Sequence, residues 1–354
     1  MVCLDVVRPR RAEHVVIYRD DRQFAAWPFN VGVWKYRGDE IVVGYARRRC
    51  EYAEPWQVNH GYAPPEGGGG LYLARSTDGG VTWKERRFTE TIDLAQRAQA
   101  GRLAAPQAPL DLRHPDLAIF HSGDAVILSL DRARSFPHGV RLPYAGHEKV
   151  MGRPDYVIRP DGACVLFSTV STTTGVEGRP VCYISRNGGQ SWEFFSYMSE
   201  EPRQHMVIMP SGVWLDSGRM IAAVRVQMQR HAFSFWSLVY ASDDGGRTWG
   251  LLSRVNDLGA PCHLLLLDDG RVAATYGYRS RPFGIRARLS EDGGATWGAE
   301  IVLRDDGKSW DLGYPKTVQL DGGDLFTAYY FNAAEDPVSV DGGVRHIAGT
   351  RWTP

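Results

Sequence analysis

The sequence predicts an all-β chain: a six-bladed β-propeller of four-stranded antiparallel blades, closed by an N-terminal strand, with residues 1–354 forming one domain. Three observations carry this expectation. An eight-residue turn occurs four times, a proline–glycine–strand pattern occurs six times, and each end of the chain carries a strand-like stretch.

The turn reads STDGGVTW from Ser76, SRNGGQSW from Ser185, SDDGGRTW from Ser242 and SEDGGATW from Ser290. Each residue type has a mechanical role. The paired glycines accept positive φ, the Asp or Asn bonds amides of its own loop, and the Ser/Thr hydroxyls tie the ends together. The Trp anchors the hairpin. Strand-like runs (LYLAR, VCYIS, SLVYA, IRARL) precede the four copies, so each copy is the turn of a β-hairpin inside a repeated unit.

The longer pattern sets the number of units. Prolines at 28, 115, 154, 210, 261 and 315 are each followed by a loop glycine (Gly38, Gly123, Gly162, Gly218, Gly270, Gly323) and a run suited to a buried strand, such as DEIVVGYA or RMIAAVRV. From the third unit onward the repeat is about 50 residues, the scale of a propeller blade. The second unit, from Pro115 to about Arg153, has no turn of the repeated type and gives the weakest blade signal. Ahead of it, a short helix is predicted around Asp93 to Ala100. The last unit ends in RHIAGTRW, three strands only, so EHVVIYR (Glu13 to Arg19) is expected to supply its outer strand and close the ring.

Composition excludes some function classes. Lys plus Arg and Asp plus Glu are both 41, giving no net charge and no general pull toward nucleic acid or an anionic membrane. No apolar run approaches the roughly 20 residues of a membrane helix, and the first residues lack a signal peptide's apolar stretch, so a cytoplasmic chain is expected. Five cysteines without CxxC spacing indicate neither a disulfide framework nor zinc. No carboxylate cluster has metal-ligand spacing, and GGGG at 67–70 lacks the Lys-Ser/Thr of a phosphate loop, so no metal or cofactor is expected.

In a propeller the inner strands converge at one mouth of the channel. Taking the prolines as the starts of those strands brings Trp27, His114, Asp116, Arg153, Asp155, Met209, His263, Tyr314 and Lys316 toward it. The far ends of the second strands add Arg47, Arg132, Ser171, Gln227, Arg279 and Asn332, with Arg225 on the same side as Gln227 by the period of two. Guanidinium groups pair bidentately with carboxylates, so such a mouth suits an anionic sugar. Asp116, Asp155 and Lys316 fit a structural ion-pair belt around the channel equally well.

The four turns resemble the Asp-box or BNR repeats of the sialidase superfamily of β-propellers. That resemblance places the boxes on the face away from the active site, and implies an arginine triad, a Tyr nucleophile activated by a Glu, and an Asp acid/base. Arg225 in SGRMIAAVR matches the second arginine, Tyr314 in DLGYPK matches the nucleophile, and Arg279, Arg281 and Arg286 compete for the third arginine. The chain departs at three positions. Ala26 in AAWPFN replaces the first arginine, Met209 replaces the Glu, and no aspartate lies between Asp39 and Asp78; that loop offers Glu51, Glu54, His60 and Glu66 instead.

The resemblance and its departures imply a carbohydrate-active enzyme cleaving a glycosidic bond to a uronic- or sialic-acid-like sugar, with an acidic oligosaccharide as its partner. The expected catalytic set is Tyr314 with His60 or His114, His being able to exchange protons near neutrality. The expected binding set is Arg225, Arg279, Arg153, Arg47, Lys316 and Asp155. Two other readings stand beside it: β-elimination at a uronate, as in propellers that cleave rhamnosyl-glucuronate linkages, and a non-catalytic glycan-binding propeller.

Overall fold

A computed structural model describes residues 6–58, 60, 69–88, 104–173, 177–203, 205–228 and 234–354, without the side chains of Gln57, Arg153, Pro154 and Glu177. The helix expected at 93–100 lies outside the described residues. β1 (Val6–Val7) and β2 (Arg11–Tyr18) precede the first blade, which holds β3 (Gln23–Ala26), β4 (Gly32–Tyr36), β5 (Glu40–Arg49), β6 (Gly69–Ser76) and β7 (Lys84–Arg87). Blade two holds β8 (Ala118–Ser122), β9 (Ala125–Ser129) and β10 (His138–Arg141). Blade three holds β11 (Val150–Ile158), β12 (Cys164–Ser171), β13 (Glu177–Ser185) and β14 (Glu193–Tyr197). Blade four holds β15 (His205–Trp214), β16 (Met220–Met228), β17 (Phe235–Ser242) and β18 (Gly250–Asn256). Blade five holds β19 (Cys262–Leu266), β20 (Val272–Tyr278), β21 (Gly284–Ser290) and β22 (Glu300–Arg304). Blade six holds β23 (Gly313–Gln319), β24 (Leu325–Phe331) and β25 (His346–Thr353).

The ring closes as expected. β2 pairs antiparallel with β25 from Arg11 opposite Thr353 to Tyr18 opposite Ile347, completing blade six with a strand from the other end of the sequence. The two-residue β1 adds a parallel edge to β22, which the sequence did not announce. Apolar side chains fill the six gaps between neighbouring blades, and the last of these cores joins blade six to blade one through Phe326, Tyr330, Ile41 and Val43. Burial is therefore spread around a circle, as radial repetition requires.

Of the six prolines, Pro261 alone immediately precedes a strand, β19. Pro154, Pro210 and Pro315 lie within β11, β15 and β23, where the register shifts between Gly152 and Asp155, Ile208 and Ser211, and Gly313 and Lys316. A proline has no N–H to donate, so it is tolerated where a bulge interrupts the ladder. In blade one the interruption is larger: a helical turn, α1 (Pro28–Val31), separates β3 from β4 and packs against β8, β11 and β23, filling the channel with the fully buried Phe29. Trp27, Met209 and Tyr314, each just before such a proline, have φ of 66°, 57° and 51°. That left-handed conformation is disfavoured for side-chain-bearing residues, and more so before proline.

Blade two corrects the sequence reading twice. It does carry a box: Ser129 Oγ donates to Asp131 Oδ1 at 2.7 Å, the Ala133 amide to Ser129 Oγ at 3.1 Å and Ser135 Oγ to Asp131 Oδ2 at 2.6 Å. These repeat the bonds of the first box, where Ser76 Oγ donates to Asp78 at 2.7 Å, the Gly80 amide to Ser76 Oγ at 2.8 Å and Thr82 Oγ1 to Asp78 at 2.5 Å. SLDRARSF hides the motif because Arg132 and Ala133, at φ of 63° and 57°, replace the glycine pair and Phe136 replaces the Trp.

The blade also runs opposite to expectation. The Leu110 amide donates to Gly188 O in the third blade's box and Arg113 reaches Pro160 O in the β11–β12 turn, so the segment carrying His114 and Pro115 follows the box face. β8 runs from that face toward the mouth and corresponds to the second strand of the other blades. No strand lies inside it among the described residues.

Candidate active site

The mouth opposite the boxes gathers side chains from four blades. Tyr314, at the start of β23, lies beside Arg225 of β16, whose Nη1 donates to the Tyr314 hydroxyl at 3.2 Å. Period-two alternation puts Gln227 on the same face, and the second guanidinium nitrogen bonds it. Arg279 follows β20; its Nε and Nη2 donate to Leu312 O at 3.1 and 3.0 Å, and Nη2 reaches the Tyr330 hydroxyl at 3.4 Å. Arg225 and Arg279 both lie against the Phe235 ring, at 4.6 and 5.3 Å from its centre, and the Arg279 guanidinium is 5.2 Å from the centre of the Tyr314 ring. Both are buried, so their charges act in a low-dielectric setting.

His60 reaches the same place from the β5–β6 connection. Its ring lies 6.0 Å from that of Tyr314, edge-on to Trp27 at 5.1 Å and stacked on Trp310 at 6.5 Å. The Trp27 indole N–H donates to His60 Nε2 at 3.2 Å, and Nδ1 lies 2.9 Å from Asp311 Oδ1. Tyr330 donates to that same oxygen at 2.6 Å, while Arg345 Nε donates to Oδ2 at 3.2 Å. Burial raises the Asp311 pKa, but the bonds from His60 and Tyr330 and the charge of Arg345 outweigh it, so the carboxyl is held well below its usual range and is ionised. Burial and the Asp311 charge push Tyr330 far up, so its hydroxyl remains a donor.

Of the residues expected here, the structure brings together Tyr314, His60, Arg225 and Arg279. Lys316 and Asp155 lie deeper in the channel, where opposite blades meet: Lys316 Nζ is 3.1 Å from Asp155 Oδ1, and the Gly212 amide donates to Oδ2 at 3.2 Å. Beside them His263 accepts from the Thr317 amide at 3.2 Å, and burial, reinforced by Lys316, lowers its pKa to about 3. Arg47 turns toward the blade edge, between the Tyr72 and Tyr18 rings at 3.6 and 4.7 Å, and pairs with Glu85 at 2.9 Å. His114 is on the box face, as is Arg132, bonded to Glu40 and Asp116 at 2.7 and 2.8 Å. Both belong to the blade whose direction was misread. The Arg153 side chain lies outside the described residues.

Met209, where the resemblance places a Glu, turns its thioether toward Arg225 at 3.8 Å. The sequence reading missed Asp311, Tyr330 and Arg345. Asp311 stands three residues before Tyr314, a local signal; Tyr330 sits in the apolar β24 and Arg345 just ahead of β25, and neither carries a local signature. No group of three or more His, Cys, Asp or Glu among the described residues is arranged to hold a metal ion.

A family model described as a BNR repeat-like domain matches residues 118–327. No curated protein matches the chain. Among solved structures, a protein of unknown function from Dyadobacter fermentans aligns over 98% of both chains, with TM-score 0.74 and 24% identity. A Hadza microbial sialidase aligns over 93% of this chain and 66% of its own, with TM-score 0.61 and 16% identity. Trypanosoma rangeli sialidase, in complex with the inhibitor DANA, aligns over 97% of this chain and 60% of its own, with TM-score 0.59 and 12% identity. The chain thus spans less than two thirds of the length of those two sialidases, and at such identities the likeness is one of fold.

Proposed function

The chain belongs to the BNR repeat-like domain family of sialidase-superfamily propellers, and from that premise we propose that it is an enzyme cleaving a glycosidic bond to an acidic sugar. One observation carries the reading: two buried guanidinium groups, Arg225 and Arg279, stand beside a tyrosine hydroxyl and a carboxylate-bound histidine in a single mouth. A sugar carboxylate fits against the arginines, because charge-assisted N–H···O bonds are strong where water is excluded. Trp27 and Trp310 supply faces for the sugar ring. His60 Nε2 is the acid/base group, and Tyr314 offers its hydroxyl at the reacting centre. Since Arg225 donates to the Tyr314 oxygen, the hydroxyl hydrogen points elsewhere, available to a substrate atom.

A second reading, β-elimination at a uronate, is favoured by the thioether of Met209 where a Tyr nucleophile would need a carboxylate base. In it the arginines neutralise the carboxylate, His60 Nε2 takes the C5 proton, the C4–O bond breaks and the Tyr314 proton passes to the leaving oxygen. Sialosides, glucuronate-terminated oligosaccharides and oligosaccharides whose glucuronate is glycosylated at O4 would be incubated with the protein and followed by released reducing ends and by ultraviolet absorbance. Release without new absorbance supports hydrolysis, an absorbing unsaturated uronate supports elimination, and no turnover of either class argues for glycan binding alone.

A further inference from the structure

We propose that Asp311 is a positioning residue that fixes His60 in the tautomer of a general base, and that Arg345 anchors the pair. This rests on the reading of the mouth as a glycoside-cleaving site. The tautomer follows from the partners alone. An indole N–H only donates, so the 3.2 Å contact from Trp27 makes His60 Nε2 the acceptor and leaves the ring proton on Nδ1. That proton points at Asp311 Oδ1, 2.9 Å away. Asp311 cannot swing aside: Tyr330 and Arg345 hold its two oxygens, and Asn332 Nδ2 donates to its backbone carbonyl at 2.7 Å. Arg345 is 1% exposed and is itself held by Gly343 O at 2.7 Å.

The Nε2 lone pair, aimed at the mouth, is capped in the resting protein by Trp27. A substrate or water O–H, or an acidic C–H, would take the place of that indole N–H. When its proton passes to Nε2, the imidazolium faces an ionised carboxylate that stabilises the new charge without accepting the proton. In hydrolysis that proton is returned to the leaving oxygen; in elimination, where Tyr314 has protonated the leaving oxygen, it restores the Tyr314 hydroxyl by way of solvent, so the balance closes without a co-reactant.

Long-range proton–nitrogen NMR correlation on the full-length protein labelled with 15N-histidine, with His60 assigned by comparison with His60→Gln, reads the tautomer directly. The expected wild-type result is a protonated Nδ1 and a bare Nε2, with that preference lost in Asp311→Asn. Turnover should fall on the order of 10³- to 10⁴-fold in kcat with little change in KM, as when the orienting carboxylate of a hydrolase histidine is lost. A wild-type His60 protonated on Nε2, or a tautomer unaltered by Asp311→Asn, overturns the proposal; the wild-type spectrum alone decides should that variant fail to fold. The expected tautomer in a protein that turns over no acidic glycoside upholds the relay and counts against the glycosidase reading only.

Discussion

The two faces of the ring are held together in different ways. On the box face each box carboxylate is satisfied by residues two to four places away: the Asp78 carboxylate is bonded by the Ser76 and Thr82 hydroxyls and by the amides of 81 and 82. Across the mouth, His60 meets Asp311, Asp311 meets Arg345, and Arg225 meets Tyr314, partners separated by 251, 34 and 89 positions. Local bonding makes a turn that can be copied. Bonding between blades makes a site that exists only once the ring has closed.

Deleting residues 6–18 should have the largest effect on the whole ring, because β25 then becomes a bare edge and the core between blades one and six loses Ile17 and its neighbours. The melting temperature should fall by about 10 °C or more, or the chain should fail to fold; at 2–4 °C per kcal/mol for a large domain, this corresponds to several kcal/mol. An unchanged melting temperature would show that closure does not hold the mouth together. Within an intact ring, Arg225→Gln should lower kcat/KM on acidic glycosides by on the order of 10²- to 10³-fold while leaving circular dichroism unchanged, since it removes a buried charge from its hydrogen-bonded partners.

Acid should separate the channel interior from the box face. His263 is buried neutral, with its pKa lowered from 6.5 to about 3. The unfolded chain therefore binds this proton first, and stability present above pH 6.5 is lost as pH falls through the window below it. The Asp78 and Asp292 carboxylates, bonded by Thr82 and Thr296, are lowered from 3.8 to about 2, so their contribution persists above pH 3.8 and is lost toward pH 2. Thermal melts across pH should then show a decline beginning near 6.5 that is reduced in His263→Gln, followed by a steeper one below 4 that is not.

Smaller effects belong to single boxes. Asp78→Ala should cost about 1–2 kcal/mol by denaturant unfolding, the scale of the lost hydrogen bonds, and leave turnover as in wild type. Ala133→Gly, in the fifth box, should stabilise by about 0.5–1 kcal/mol, because glycine adopts φ of 57° without a Cβ penalty.

This contrast also explains what the sequence disclosed. The boxes, their preceding strands and the closing role of Glu13–Arg19 were legible because turn chemistry and strand patterning are local. The fifth box is hidden in the sequence because its hydrogen bonds survive the loss of both glycines, whereas the residue pattern does not. Pro115 and Gly123 imitated the template of the other units, so His114 was assigned to the mouth although it lies at the opposite end. Arg225 and Tyr314 were found through the family pattern and strand register. Asp311, Tyr330 and Arg345 were not, since a loop aspartate acquires meaning only when β24, β25 and the β5–β6 connection meet around it.

Calorimetric titration with a glucuronate- or sialate-terminated oligosaccharide and its carboxyl-reduced counterpart tests most directly whether the mouth recognises an acidic sugar. The acidic ligand should bind at least about tenfold more tightly to the wild type, a difference of roughly 1.4 kcal/mol, and this preference should vanish in an Arg225→Gln, Arg279→Gln double variant. Equal affinity for the two ligands, or a preference that survives loss of both arginines, would contradict it.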